Sequence, residues 1–279
     1  MAALELEVYT SPMREVEGGG SFSPTTSTLI LGPTEAVLVD AQYMESDVAE
    51  LARRIDASGR ALTTIYITHA HADHYFGLEW LLRRYPAARA VACASVVAAA
   101  EAGHEASRRQ WRHWFGGQAL DSEVVPEPLA GTELRVDGEP LLAIEVGQGD
   151  IALSTVLHVP ALAAVVAGDV AYHGINPFLA ASTPDEWPLW IASLDTIAAL
   201  RPSVVVAGHK RPELRDDDVS AIVGGTRGYL ADFIAGYQEC ANSRELVSYL
   251  RDRYPDYGNP SALVLSAVTA FKRKERASA

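Results

Sequence analysis

Residues 68 to 74 read Thr-His-Ala-His-Ala-Asp-His, directly after the β-branched run Leu62-Thr-Thr-Ile-Tyr-Ile. Such a run is a strand by its residue types, so three imidazoles and a carboxylate crowd the end of one strand. Whatever the chain folds into must bring that strand end to a polar site rather than bury it in an apolar core. The other histidines are scattered, and a plain polar turn would not need this set of residue types at this spacing.

Distant positions repeat the pattern. Gly168-Asp169 follows the apolar run Leu162-Ala-Ala-Val-Val-Ala167, and Gly208-His209 follows Val204-Val-Val-Ala207. Each places one potential ligand just beyond a buried-looking strand, where short loops converge from a rigid sheet. His69, His71, Asp73, His74, Asp169 and His209, in that order, resemble the ligand series of the metallo-β-lactamase superfamily. Asp40, closing Leu38-Val-Asp40, matches that family's strand-ending aspartate.

The resemblance implies an α/β (α+β) fold, an αββα sandwich of two mixed β-sheets flanked by helices, with metal held at one edge between the sheets. It implies His69, His71 and a share of Asp169 around a first ion, and Asp73, His74, Asp169 and His209 around a second. The family's remaining ligand for the first ion is a histidine about 20 residues before the bridging aspartate. Along Glu145-Val-Gly-Gln-Gly-Asp150 that register falls on Gln148. An amide oxygen is a weaker, harder donor than an imidazole, so the second site is expected to be complete and the first the weaker. Three consequences stand side by side: Gln148 as a weak ligand of a two-metal site, a one-metal enzyme, or a member that has lost hydrolysis. A shifted register with another histidine substituting is a fourth, and His173 is then the candidate. His158, inside a strand-like run, is read as structural, and His104 and His113 lie in a helical stretch without metal spacing.

In enzymes that this chain resembles, metal polarises a carbonyl and lowers the pKa of water towards neutrality. The implied activity is hydrolysis of a small, partly apolar ester, lactone or thioester, with zinc as one or two ions and iron or manganese as alternatives. Asp73 is the catalytic candidate, both ligating and orienting the nucleophile, and Asp40 is expected to fix the tautomer of a ligating imidazole. The alternatives are a one-metal enzyme of non-hydrolytic chemistry (cyclase, lyase or redox) and a non-catalytic metal-binding protein. No Gly-x-Ser-x-Gly nucleophile motif competes.

Composition bounds the partners. With 36 acidic against 23 basic residues and a net charge of −13, the chain lacks the clustered cations that a phosphate backbone requires, so nucleic acid is not expected. No apolar run is long enough for a membrane span. The opening Met1-Ala-Ala-Leu-Glu-Leu-Glu7 is acidic rather than signal-like, and Cys93 and Cys240 lack metal spacing and read as buried thiols. A cytoplasmic protein acting on a small molecule is the expectation.

At 279 residues, 1–279 reads as one domain, with about 215–279 a helical extension packed on it. Patterning predicts strands near 4–9, 26–32, 35–40, 62–67, 89–93, 132–136, 140–146, 153–159, 162–168 and 203–207. Helices are predicted near 45–57, 77–85, 94–102, 105–115, 185–200, 218–239, 243–253 and 260–273. Trp111, Trp114 and Phe115 fall on one helical face before Gly116-Gly117, and Trp187 and Trp190 flank Pro188. Both sets are candidate walls for an apolar substrate, with helix packing as the competing explanation.

Overall fold

The computed structural model describes residues 3–278; Met1 and Ala2, where the acidic opening begins, lie outside the described residues. The β-branched runs form the middle strands of two sheets. The first sheet contains β1 (Glu5–Thr10), β4 (Thr26–Leu31), β5 (Glu35–Val39), β6 (Ala61–Tyr66), β7 (Arg89–Ala92) and β8 (Glu127–Pro128), side by side in that order. Its first pairings, β1 with β4 and β4 with β5, are antiparallel, and the rest are parallel. The second sheet contains β9 (Glu133–Val136), β10 (Glu139–Gln148), β11 (Ala152–Val159), β12 (Ala164–His173) and β13 (Val204–Lys210). It is antiparallel except for the β12–β13 pair. A small hairpin, β2 (Arg14–Glu15) with β3 (Ser21–Phe22), stands apart.

Side-chain alternation shows how the sheets stack. In β11, β12 and β13, Leu157, Val159, Ala164, Val166 and Val206 join one core with the first sheet. Their neighbours Val156, Val165, Ala167, Val205 and Ala207 point the other way into a second core. Period-two alternation with both faces apolar requires cover on each side. On the first sheet that cover comes from α1 (Glu45–Ser58), α3 (Leu78–Arg84) and α4 (Ala94–Phe115). On the second it comes from α5 (Trp187–Ala199), α6 (Gly225–Glu239), α7 (Ser243–Arg253) and α8 (Pro260–Ser278). The result is the expected αββα sandwich, with the C-terminal helices over the outer face of the second sheet. No helix among the described residues is long and apolar enough to cross a membrane.

Besides the unpredicted short strands β2, β3 and β8, three differences from expectation have a clear physical reason. The helices predicted at 94–102 and 105–115 are one, because Gly103 costs only about 1 kcal/mol in a helix interior. Its turn is held on both sides by buried Val96, Val97, Ala100, His104, Trp111 and Phe115. A four-residue helix, α2 (Ala72–Tyr75), is too short to leave a period in the sequence. Strand β12 runs past Asp169 to His173, since pairing with β13 resumes beyond an irregularity at Gly168. Asp169 therefore sits in a bulge inside a strand rather than in a loop. Cys93 is buried and Cys240 half-buried, both as free thiols.

Candidate metal centre

The bulge and the strand ends place seven side chains at one edge of the sandwich. His69 and His71 follow β6, Asp73 and His74 lie on α2, Asp150 follows β10, and Asp169 and His209 lie within β12 and β13. Their ligand atoms fall into two groups: His69, His71, Asp150 and Asp169, and Asp73, His74 and His209. Asp169 joins the two. Its Oδ2 lies 3.5 Å from His69 Nε2 and 3.0 Å from His209 Nε2, and its Oδ1 3.2 Å from His74 Nε2. Asp73 Oδ2 lies 3.2 Å from His74 Nε2 and 3.6 Å from His209 Nε2.

Close approach of the backbone makes this convergence possible. Gly168 adopts φ +49°, and a Cβ there would stand 2.6 Å from Thr68 Oγ1. A Cβ on Gly208 would overlap Asp169 Oδ1. Only glycine at both positions lets β6, β12 and β13 meet at this edge.

Three of the four imidazoles, those of His69, His74 and His209, are oriented by the far nitrogen. Assigning tautomers from the hydrogen-bond network, His74 Nδ1–H donates to Asp40 Oδ2 at 2.8 Å. His69 Nδ1–H donates to Thr68 Oγ1 at 2.9 Å, and that hydroxyl donates to Asp40 Oδ2 at 2.9 Å. His209 Nδ1–H donates to the Pro24 carbonyl at 2.9 Å. The three Nε2 atoms are thereby turned inward. Asp40, in the left-handed region at φ +60°, backs two histidines and also accepts Thr68 N–H at 2.9 Å. The sequence expectation gave it one.

Four buried atoms of the cluster make no hydrogen bond. His69 Nε2, His74 Nε2, Asp150 Oδ1 and Asp169 Oδ1 are buried without a hydrogen bond. Buried polar atoms are ordinarily satisfied, and four orphans within one cluster of side chains, nitrogens and carboxylate oxygens mixed, suit a divalent cation. The electrostatics agree. Burial presses His71 down, yet Asp150, Asp169 and Asp73 raise it to about 10. Against the same burial, Asp73, Asp169 and Asp40 raise His74, and Asp169 and Asp73 raise His209. Burial alone would raise Asp169; His209, His74 and His69 hold it well below the usual carboxylate range. Without a metal, the carboxylates and the imidazoles of His71, His74 and His209 each favour the other's charged form.

The sequence-derived residues divide as follows. His69, His71, Asp73, His74, Asp169 and His209 come together. Gln148 is buried at the end of β10, its Nε2 donating to the Gly149 carbonyl at 3.1 Å. From this segment it is Asp150, passed over in the sequence, that meets His71, at 2.9 Å. His173 joins neither group; it ends β12 beside Lys210, which with burial keeps its imidazole lowered. His158 lies in β11, its imidazole lowered by burial. β10 is irregular between Glu145 and Gln148, with Gly147 at φ +92°. A strand-ending acid, as at Asp40, was the available signal. With Asp150 present, the first group is not a donor short of the second. Tyr172, also passed over, donates its hydroxyl to Asp169 Oδ2 at 3.3 Å.

The aromatic candidates are mostly core. Trp187 and Trp190 are fully buried; Trp190 Nε1–H donates to the Val170 carbonyl at 2.8 Å, and Trp187 packs edge-on against Phe233 and Tyr237. They form no wall, because helical spacing served the outer core. Trp111 and Phe115 are buried with Tyr43 around Phe22, whose ring centroid lies 6.1 Å from that of His209. Trp114 is half-buried at the same cluster.

Comparison with known proteins places this geometry. No curated protein matches the chain. Solved structures that it resembles include the DIM-1 metallo-beta-lactamase, at 18% identity and TM-score 0.61 over 82% of this chain and 96% of that one. A metallo-beta-lactamase from Pontibacter korlensis gives 18% and 0.62, over 82% and 100%. A metallo-beta-lactamase family protein from Thermus thermophilus gives 21% and 0.63, over 98% and 94%. At these identities the likeness concerns the fold. A sequence model described as the metallo-beta-lactamase superfamily matches residues 20–209, a span that holds both groups of ligand-bearing residues, and the chain belongs to that superfamily.

Proposed function

We propose that the protein is a metal-dependent hydrolase of a small, partly apolar carbonyl compound, an ester, lactone or thioester. The observation that carries this reading is the set of buried donor atoms without a hydrogen bond on His69, His74, Asp150 and Asp169. His69, His71, Asp150 and Asp169 would hold one divalent ion, and Asp73, His74, His209 and Asp169 the other. A bound ion supplies Lewis acidity towards a carbonyl oxygen and water of lowered pKa.

The chain's own groups supply orientation and proton handling. Asp73 Oδ2 accepts the Thr25 hydroxyl at 2.9 Å, which fixes the carboxylate so that it can take a proton from the attacking water. Tyr172 Oη donates to Asp169 Oδ2 and helps to fix that carboxylate. His71 is the only member of the two groups that is not buried, at 27% side-chain exposure, so substrate enters on its side. Phe22, against His209, and the half-buried Trp114 behind it supply apolar contact and favour a partly apolar substrate. The net charge of −13 argues against a polyanionic one.

A panel of aryl esters, lactones and thioesters assayed with metal-loaded protein, with chelator-treated protein and with Asp169→Asn tests the proposal. Turnover confined to the metal-loaded wild type supports it. Loaded protein that hydrolyses none of the three classes would sink it.

A further inference from the structure

The geometry points to Asp150 as a metal donor in its own right, which makes the first half of the site suited to a harder divalent ion, manganese(II) or iron(II), rather than selective for zinc. This rests on the metalloenzyme reading above.

Two roles compete for a carboxylate 2.9 Å from a site histidine: ligand, or a partner that orients the ring from behind. Asp40 illustrates the second. It engages His74 through Nδ1, while the opposite nitrogen, Nε2, faces Asp73 and Asp169. Asp150 differs. The nitrogen of His71 that meets Asp150 is Nδ1, and the same Nδ1 faces Asp169 Oδ2 at 3.8 Å. Asp150 therefore shares the space in front of the ring rather than standing behind it. Its second oxygen, Oδ1, is buried without a partner, whereas both oxygens of Asp40 are engaged. A carboxylate placed only to orient a ring has no need of an orphaned oxygen in a buried site.

With Asp150 counted, the first half offers two imidazole nitrogens and two carboxylates, His69, His71, Asp150 and Asp169. The second offers the same set, His74, His209, Asp73 and Asp169. Exchanging an imidazole for a carboxylate hardens a site, and carboxylate donors suit manganese while nitrogen and sulfur donors favour zinc. The expectation of a weak first site next to a complete second one gives way to two halves of equal donor type.

Asp150→Cys, loaded with cobalt(II), tests the assignment, because a thiolate bound to cobalt absorbs by charge transfer and one merely nearby does not. Cys93 and Cys240 lie outside both groups, so wild type is the blank. A charge-transfer band in the variant alone is expected, together with a shift of at least about tenfold towards zinc in zinc–manganese competition for one of two equivalents. Asp150→His should show the same shift while still binding two ions, and serves if the cysteine variant does not fold by circular dichroism. Cobalt bound to Asp150→Cys without the band, or Asp150→His that loses one equivalent of every metal, overturns the assignment and makes Asp150 an orienting partner of His71. Wild type that binds no metal overturns the hydrolase reading itself.

Discussion

Asp40→Asn isolates the device that aims the histidines. Asparagine keeps the size of the side chain and tolerates the left-handed backbone at φ +60°, so the fold has no reason to move. The hydrogen-bond count does change. Asp40 Oδ1 accepts Thr68 N–H at 2.9 Å, and Oδ2 accepts His74 Nδ1–H at 2.8 Å. An amide has one acceptor oxygen, so whichever way it turns, an N–H faces an NH2 group. One buried donor unpaired costs about 1–3 kcal/mol. At about 2–4 °C per kcal/mol for a chain of this size, the metal-free variant should melt about 2–12 °C lower. If the amide oxygen keeps Thr68, the ring of His74 is freed, and metal affinity in its half of the site should also fall about 10–100-fold. Thermal unfolding without metal and a chelator competition with metal read the two outcomes. A variant with unchanged melting and unchanged affinity would refute the claim that Asp40 is the acceptor behind these groups.

Other outcomes follow from the same contacts. Gly208→Ala sets a Cβ against Asp169 Oδ1 and should cost metal binding at both halves; elemental analysis showing two retained equivalents would contradict the close approach. Trp187→Ala should destabilise by about 3–5 kcal/mol, as loss of a large buried ring does, while leaving KM for a turned-over ester unchanged; a changed KM without lost stability would return it to the substrate wall. His71 is raised to about 10 in the metal-free fold, from an unfolded value near 6.5, so metal uptake at neutral pH must expel its proton. Calorimetry in buffers of different ionisation enthalpy should register proton release and affinity that rises with pH; uptake without release would contradict the ion pairing. Because that pKa is raised, the charged ring stabilises the metal-free fold fully below about 6.5, and the contribution is lost as pH climbs through about 10.

What the sequence carried and what it hid have physical causes. His69 to His74 were legible because all four site residues are local to one strand end and one helical turn. Asp169 and His209 were legible because each closes an apolar run that β12 and β13 bury on both faces. Asp150 was hidden because it stands alone between β10 and β11, without a neighbouring histidine, and only the fold brings it to His71. Trp187 and Trp190 were ambiguous because a core face and a substrate wall both place aromatics at helical spacing, and only the packing of Phe233 and Tyr237 against Trp187 decides. Asp40's second client, His69, is reached through the Thr68 hydroxyl, a relay that no spacing rule contains.

Two ions would be held at this edge, Asp169 contributing to both, with Asp150 in one group and Asp73 in the other. Anomalous diffraction from crystals of protein loaded with manganese or zinc tests it most directly. The account predicts two peaks, one among His69, His71, Asp150 and Asp169, the other among Asp73, His74, His209 and Asp169. A single peak, or ions bound away from these seven side chains, would contradict it.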